Sequence, residues 1–373
     1  MIPVFKPKMN TKKILSELEV IMDSGWIGLG PKTMEFEQKF ADYIGVKYAV
    51  GVNSATSALH LSVHALNLAP GDEVIVPSMT FASTGLAVLY AGATPVFADI
   101  LPDTLCLDPD DIVRKITDKT KAIIPVHFGG HSCLMDEILN IANAKNLAVI
   151  EDNAHGCGGK YKNKMLGSVG LMGCFSFHAV KNLSTGDGGM ITTDDKKLYD
   201  KLKKLRWLGI DKDTWGRSNN AYAWQYSIDE LGFKCHMNDI TAVIGLAQLE
   251  TLDHDNDRRK VIFDKYNDLL GETCWLELPS HANYTKSACH NYVIKTPFRN
   301  ELNTYMSEHG ISTGVHYEPI HHHKVFNNGN PVVPLTNEVW PKLLTLPLFP
   351  DLTDDDVVEI ASCVINFGKE HAL

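Results

Sequence analysis

The 373-residue chain has no uninterrupted apolar run long enough to cross a bilayer. Its first residues, Met1-Ile2-Pro3-Val4-Phe5-Lys6, lack the apolar stretch of a secretion signal. Both absences lead us to expect a soluble, cytoplasmic protein with no membrane partner. Positive charge is also scarce: 35 Lys and Arg stand against 45 Asp and Glu, a formal net charge of -10. A polyphosphate backbone would meet no cationic field, so nucleic acid is not an expected partner. The eight cysteines, at 106, 133, 157, 174, 235, 274, 289 and 363, form no C-x-x-C pair, which argues for reduced, buried thiols rather than structural zinc. Internal repeats, low-complexity tracts and long linkers are missing as well. What is present is 44% hydrophobic side chains, enough for two packed units in one chain.

From Tyr48 to about Thr193, short β-branched runs alternate with helical patterns, as in a mainly parallel sheet covered on both faces. Strands are expected at 48–52, 73–76, 95–98, 122–126, 147–150, 173–178 and 190–193, with helices at 56–66, 83–90 and 134–145 between them. Beyond Asn238 one long helical stretch runs to about Leu270, followed by a strand at 291–295 and helices at 301–309 and 354–367. The expected fold is α/β: a large domain over residues 1–237 and a smaller α+β domain over 238–373. Ligands of such a sheet sit at the carboxyl ends of its strands. The segment from Asp211 to Lys234, rich in Trp, Tyr and Asn, is the expected excursion over a site.

Three strand ends carry polar groups suited to one kind of ligand. In Asn53-Ser54-Ala55-Thr56-Ser57, small hydroxyl residues open a helix, and free N–H groups there suit a phosphate, although ordinary N-capping accounts for the same residues. In Glu151-Asp152-Asn153-Ala154-His155 two acids follow an apolar strand; a carboxylate there needs a cationic or N–H partner, so Asp152 either faces a pyridinium nitrogen or caps a turn. Lys181 follows the apolar strand at 173–178 and precedes Gly186-Asp187-Gly188-Gly189. Burial there would lower its pKa and favour the neutral amine that condenses with carbonyl compounds.

These three stretches, with Phe36-Glu37, Pro77 to Phe81, Met237 to Ile240 and Leu346 to Pro350, resemble the DegT/DnrJ/EryC1/StrS family of sugar aminotransferases, of fold type I and dependent on pyridoxal 5'-phosphate (PLP), over nearly the whole chain. The most specific part is Ser-Phe-His-x-x-Lys-x-x-x-Thr-Gly-x-Gly-Gly at 176–189. The resemblance implies that Lys181 holds PLP as a Schiff base and shuttles a proton, that Asp152 pairs with the pyridinium nitrogen, and that His155 lies beside the ring and its phenolic oxygen. It implies Phe81 as a stacking aromatic and Ala55, Thr56 and Ser176 as the phosphate cradle. His236 stands where many relatives place Asn or Arg, a side chain that reaches the neighbouring subunit's cofactor phosphate, which implies a homodimer with shared active sites.

The implied reaction moves an amino group from L-glutamate to a keto group of a nucleotide-linked sugar, for surface polysaccharide or glycan precursors such as lipopolysaccharide O-antigen. The stretch from Ser176 to Gly189 looks nearer to the branch acting at C4 of 4-keto-6-deoxy sugars than to the C3 branch, which stays the alternative together with a non-enzymatic PLP-binding sensor. Lys181 argues against the family's dehydratase branch, where histidine replaces the lysine. The histidine-rich run His316-Tyr317-Glu318-Pro319-Ile320-His321-His322-His323 invites a metal reading, but adjacent histidines point apart and no second ligand cluster is spaced to join them. No metal is expected. His316, Tyr317 and His321 are candidate substrate or packing residues, and Trp26 either lines the sugar pocket or staples the amino-terminal segment to the core.

Overall fold

The computed structural model describes residues 1–211, 226–326 and 331–373. In chain order the helices are α1 (Thr11–Ser24), α2 (Pro31–Ile44), α3 (Ala55–Ala65), α4 (Ala82–Tyr90), α5 (Pro109–Lys115), α6 (Met135–Lys145), α7 (Lys196–Leu205), α8 (Asp239–Leu249), α9 (Leu252–Leu270), α10 (Arg299–Glu308), α11 (Pro334–Val339) and α12 (Asp354–Glu370). The strands are β1 (Tyr48–Val52), β2 (Glu73–Pro77), β3 (Thr94–Ala98), β4 (Thr120–Ile123), β5 (Ala148–Asn153), β6 (Lys160–Tyr161), β7 (Lys164–Met165), β8 (Met172–Ser176), β9 (Gly189–Thr193), β10 (Thr285–Lys286), β11 (Tyr292–Lys295) and β12 (Leu343–Leu346).

Seven strands form the central sheet in the order β1-β9-β8-β5-β4-β2-β3. Only β9 runs against its neighbours; the pairs β8–β5, β5–β4, β4–β2 and β2–β3 are parallel, as the alternating pattern predicted. Every residue of β8 and β9 is buried, because helices cover both faces of the sheet. Two expectations are corrected. The strand read at 122–126 is β4, over by Ile123, and Val126 makes only a single bridge to Asp152. The helix read from Asn238 to Leu270 is broken at Glu250–Thr251 into α8 and α9. Sequence periodicity also passed over α1 and α2, whose ends are set by local chemistry: Asn10 caps α1, Pro31 opens α2, and Gly25 and Gly45 close them.

A second apolar core joins α9, β11, β12, α10 and α12 through Tyr266, Tyr292, Leu344, Leu302 and Val364. Between the cores, α8 packs Ala242 and Leu246 into a cluster with Phe36, Phe40 and Phe177, so the helix that follows His236 is tied to the loop that carries Lys181. Asp239 locks this junction. Fully buried, its Oδ1 accepts from the N–H groups of Gly30 and Thr33 and from the Thr33 hydroxyl, and its Oδ2 accepts from Lys32 N–H. One carboxylate thereby caps α2 while opening α8. Beneath β1, buried Arg206 pairs with Glu37, and the two clamp Gly51, whose N–H donates to Glu37 Oε1 at 2.8 Å and whose carbonyl accepts from Arg206 at 2.9 Å.

The strands deliver four carboxyl ends to one place: β1 ends at Val52, just before Asn53, β2 at Pro77, ahead of the turn to Phe81, β5 at Asp152 and Asn153, and β8 at Ser176. Of the expected excursion, residues 212–225 lie outside the described residues. The stretch leading into it, 207–211, pairs with its described part, 226–234, through Ile210 with Ile228 and Trp207 with Lys234.

Replacing Asp239 with Ala leaves three buried N–H groups and a hydroxyl without their acceptor, and should cost about 3 kcal/mol or more, read as a lower urea midpoint. A midpoint within 0.5 kcal/mol-equivalents, on the order of surface substitutions, would remove Asp239 from this role.

Candidate active site

Lys181 sits in a loop that the chain closes on itself after β8. Phe177 N–H donates to Gly188 O at 2.8 Å, Thr185 N–H to Phe177 O at 2.8 Å, and Lys181 N–H to His178 O at 2.9 Å. The neighbouring Asn182 is fastened from below. Asn256 Nδ2 donates to Cys157 O, so its Oδ1 must accept; it takes Asn182 Nδ2 at 2.7 Å, which also donates to Ala288 O at 2.7 Å. Asn182 Oδ1 then accepts from His290 Nδ1 at 2.9 Å, which fixes the proton of that buried imidazole on Nδ1. The amine of Lys181 is aimed, and burial lowers its pKa to about 8 against a smaller opposing pull from Asp152.

Asp152 faces it from the end of β5. It is buried, Thr84 donates to its Oδ2 at 2.8 Å, and Ala154 N–H donates to its Oδ1 at 3.1 Å. Thr80 stands four residues before Thr84, just ahead of α4, and the two hydroxyls are 2.8 Å apart. Burial raises the Asp152 pKa, and Thr84, Ala154 and Lys181 offset only part of that. A carboxylate under such tension gains most from a cationic N–H partner. Its neighbour Glu151 is spent on structure: it accepts from His127 and from the N–H groups of Gly167, Val169 and Gly170. Burial opposes its charge, but these donors outweigh it and hold its pKa below the usual range.

His155 lies flat between two rings, with centroids 4.5 Å from His290 and 5.9 Å from Tyr317, both stacked. Its Nδ1 accepts from Gly129 N–H at 3.2 Å and its Nε2 contacts Tyr317 Oη at 2.9 Å. The turn that presents this N–H needs glycine, since Gly129 and Gly130 have φ of 60° and 94°. Burial, then the charges of Lys181 and His316, push the His155 pKa well down. Phe81 leans over the same space: it is 59% exposed, with its ring centroid 5.9 Å from that of Tyr317. His316 joins the group through Lys181, which with burial lowers its pKa to about 4, while its Nδ1 meets Thr345 Oγ1 at 2.7 Å.

At the other end of the site, Ser54 caps α3 by accepting from Ser57 N–H, which leaves the N–H groups of Ala55 and Thr56 without a protein acceptor among the described residues. Thr56 Oγ1 meets Ser83 Oγ at 2.7 Å, one residue from Thr84, so the start of α3 is linked to the group that holds Asp152. Ser176 is buried at the end of β8, where its Oγ accepts from His178 N–H at 3.3 Å. The glycine-rich turn serves this end: a Cβ on Gly189 would stand 2.5 Å from the Ser54 carbonyl carbon, so glycine lets β9 approach the start of α3. His236 pairs with Val52 at the end of β1, edge-on to Trp207, and its Nδ1 is buried with no hydrogen-bond partner among the described residues. Burial, then Lys234 and Arg206, lower its pKa to about 4.

Lys181, Asp152, His155, Phe81, His316 and Tyr317 therefore converge, with Ala55, Thr56 and Ser176 at one end. His321 is directed elsewhere, hydrogen-bonded to Ser78 and tilted on Phe97. Trp26 engages the entry to α2, its Nε1–H donating to Leu29 O at 3.1 Å. The run from His316 to His323 diverges to Thr345, Ser78 and Asn337. Among the described residues no three His, Cys, Asp or Glu side chains gather as a ligand set for a metal. Sequence reasoning passed over Thr84, Gly129, Asn182, Asn256 and His290. Only the i, i+4 hydroxyls of Thr80 and Thr84 left a periodic trace.

A poised amine opposite a buried acceptor of a cationic N–H, an open aromatic face and a helix start with free N–H groups define a PLP enzyme of fold type I. The chain belongs to the DegT/DnrJ/EryC1/StrS aminotransferase family, whose model matches residues 8–365. It is 40% identical to the spore coat polysaccharide biosynthesis protein SpsC of Bacillus subtilis, across 96% of this chain and 95% of that one. The PLP-form of Spr1654 from Streptococcus pneumoniae, a candidate sugar aminotransferase, superposes with a TM-score of 0.90 at 32% identity, covering 98% of each chain. Helicobacter pylori PseC, an aminotransferase involved in the biosynthesis of pseudoaminic acid, superposes at 0.92 with 26% identity over 98% of each chain. The protein is a PLP-dependent sugar aminotransferase.

With its pKa near 8, the Lys181 amine is charged in acid and free in base. The rate at which apoenzyme captures PLP should rise about tenfold per pH unit up to roughly pH 8 and level off above it. Borohydride followed by mass spectrometry should place the adduct on position 181, and Lys181→Ala should abolish it. A pH-independent capture rate, or an undiminished adduct in the variant, contradicts the assignment.

Proposed function

We propose that the protein transfers the amino group of L-glutamate to the keto group of a nucleotide-linked sugar, at C4 of a 4-keto-6-deoxy sugar, to make precursors of a surface polysaccharide. The observation that carries the reading is the opposition of Lys181 and Asp152 across a pocket walled by Phe81, His155 and Tyr317. The names of SpsC and PseC support the polysaccharide and amino-sugar setting. The motif from Ser176 to Gly189 supports C4.

Bound PLP supplies an electron sink that stabilises negative charge on the carbon losing its proton. Each protein group has a part around it. The Lys181 amine is the group that would hold the aldehyde, and its pKa of about 8 would let it take and return a proton near neutral pH. Asp152, its two oxygens held by Thr84 and Ala154, would pair with a protonated ring nitrogen. Phe81 would offer its apolar face to the ring. Ala55 and Thr56 would offer N–H groups to the phosphate at the positive end of α3, with Ser176 beside them.

The same reading makes the working unit a homodimer in which His236 reaches the cofactor phosphate of the neighbouring subunit. The exposed side chains of Leu208, Ile228 and Leu231, on the paired stretches 207–211 and 226–234, support it.

Holoenzyme given L-glutamate should release 2-oxoglutarate, and should then aminate a 4-keto-6-deoxy nucleotide sugar faster than its 3-keto isomer. A protein that binds PLP but turns over neither would be a sensor, and faster reaction with the 3-keto isomer would move the regiochemistry to C3. Asp152→Asn should retain PLP yet lose transamination by roughly 10²-fold or more, since the ring nitrogen loses its anionic partner. Near-normal turnover would release Asp152 from that role.

A further inference from the structure

The hydrogen bonds around His155 fix the direction in which Tyr317 can donate. A backbone N–H is only a donor, so His155 Nδ1, which Gly129 N–H meets at 3.2 Å, carries no proton. His155 is buried and neutral beside Lys181, so its single proton sits on Nε2 and is donated to Tyr317 Oη at 2.9 Å. The phenol oxygen is therefore an acceptor toward His155, and its own proton must point elsewhere. Among the described residues Oη has no other hydrogen-bond partner. The Tyr317 ring packs on Phe81, at 5.9 Å, and Phe128, at 6.4 Å, and its hydroxyl lies at His155 and within reach of the Asp152 charge, at the edge of the site. Burial, followed by the charge of Asp152, raises its pKa, which keeps the proton on Oη across physiological pH.

We propose that Tyr317 is a hydrogen-bond donor to an electron-rich oxygen of the molecule bound in this pocket, and that His155 is a positioning residue that sets the direction of that bond. The proposal rests on the PLP reading of the site. Two oxygens share the required chemistry, the ring oxygen of PLP and a sugar oxygen beside the keto carbon. A stacked imidazole that cannot rotate its proton away is a firm device for this, because His155 is pinned at Nδ1 by Gly129 and on its face by His290, itself fixed through Asn182 and Asn256.

The test uses the holoenzyme and Tyr317→Phe, which removes the hydroxyl and keeps the ring, with thermal melting and circular dichroism as checks that the variant is folded. First, the visible absorption band is titrated with pH in the absence of substrate. A donor to the ring oxygen favours the deprotonated chromophore, in which that oxygen bears its full charge, so its loss should raise the midpoint by on the order of one pH unit. His155→Phe, which retains stacking but loses Nε2–H, should shift the midpoint the same way by less. Second, if the midpoint stays in place but KM for the keto sugar rises about tenfold, with KM for glutamate unchanged, the acceptor is the sugar oxygen. A folded Tyr317→Phe variant with both midpoint and keto-sugar KM unaltered overturns the proposal. Wild-type protein with no visible band in the presence of PLP would instead sink the cofactor reading, and the two failures are thus distinct.

Discussion

A buried carboxylate that is not yet satisfied governs this molecule's design. Asp152 has lost water on entering the sheet's carboxyl edge and, among the described residues, has recovered two donors, a threonine hydroxyl and one peptide N–H. Glu151, one residue away, shows what full satisfaction looks like: an imidazole and three peptide N–H groups hold its charge in place. Successive residues of a strand face opposite sides of a sheet, so one apolar strand can send one acid to scaffolding and the next to the pocket. The difference in their donors leaves Asp152 with a demand for a cationic N–H, and Lys181 with an amine that burial keeps close to neutrality.

Around this pair the polar groups are wired from backbone carbonyls and N–H groups inward. Cys157 O orients Asn256, Asn256 orients Asn182, and Asn182 orients His290, on whose face His155 lies. Each link has one polarity because its outermost member is a peptide group with only one role. Such a network holds the loop after β8 through peptide groups, amides and an imidazole, so its rigidity adds no carboxylate beside the amine. The junction at Asp239 does comparable work further out, since it couples α2 and α8 and, through Phe36 against Phe177, the floor of the lysine loop.

Much of this was readable in the chain. The alternation of β-branched runs and helical patterns was sufficient for a mainly parallel sheet, and strand-end polarity singled out 53–57, 151–155 and 176–189. The misreadings have physical causes. Thr120 to Ile123 pairs as a strand, whereas Ile124 to Val126 keeps only single bonds to Ile75 and Asp152 across Pro125, which has no N–H to donate, and hydropathy cannot separate the two. The segment from Asn238 to Leu270 keeps helical periodicity through Glu250 and Thr251, where the chain breaks, because period alone does not register a change of axis. His316 and His321 sit five residues apart in one histidine-rich run, yet one faces Lys181 and the other Ser78.

The sequence by itself determined the chemistry available: a lysine behind an apolar strand, an acid at the end of another, hydroxyl residues opening a helix, and a glycine turn between them. Each of those is local, written within about ten residues and governed by period, capping and burial. Tertiary structure alone decided which imidazole nitrogen holds a proton, which of two adjacent carboxylates is left in need, and which way Tyr317 can donate. Those choices depend on partners 24 to 162 residues apart along the chain, such as Glu151 with His127 and His155 with Tyr317. A hydrogen bond's direction is set by the geometry of both its ends, and the second end enters only when the chain has folded.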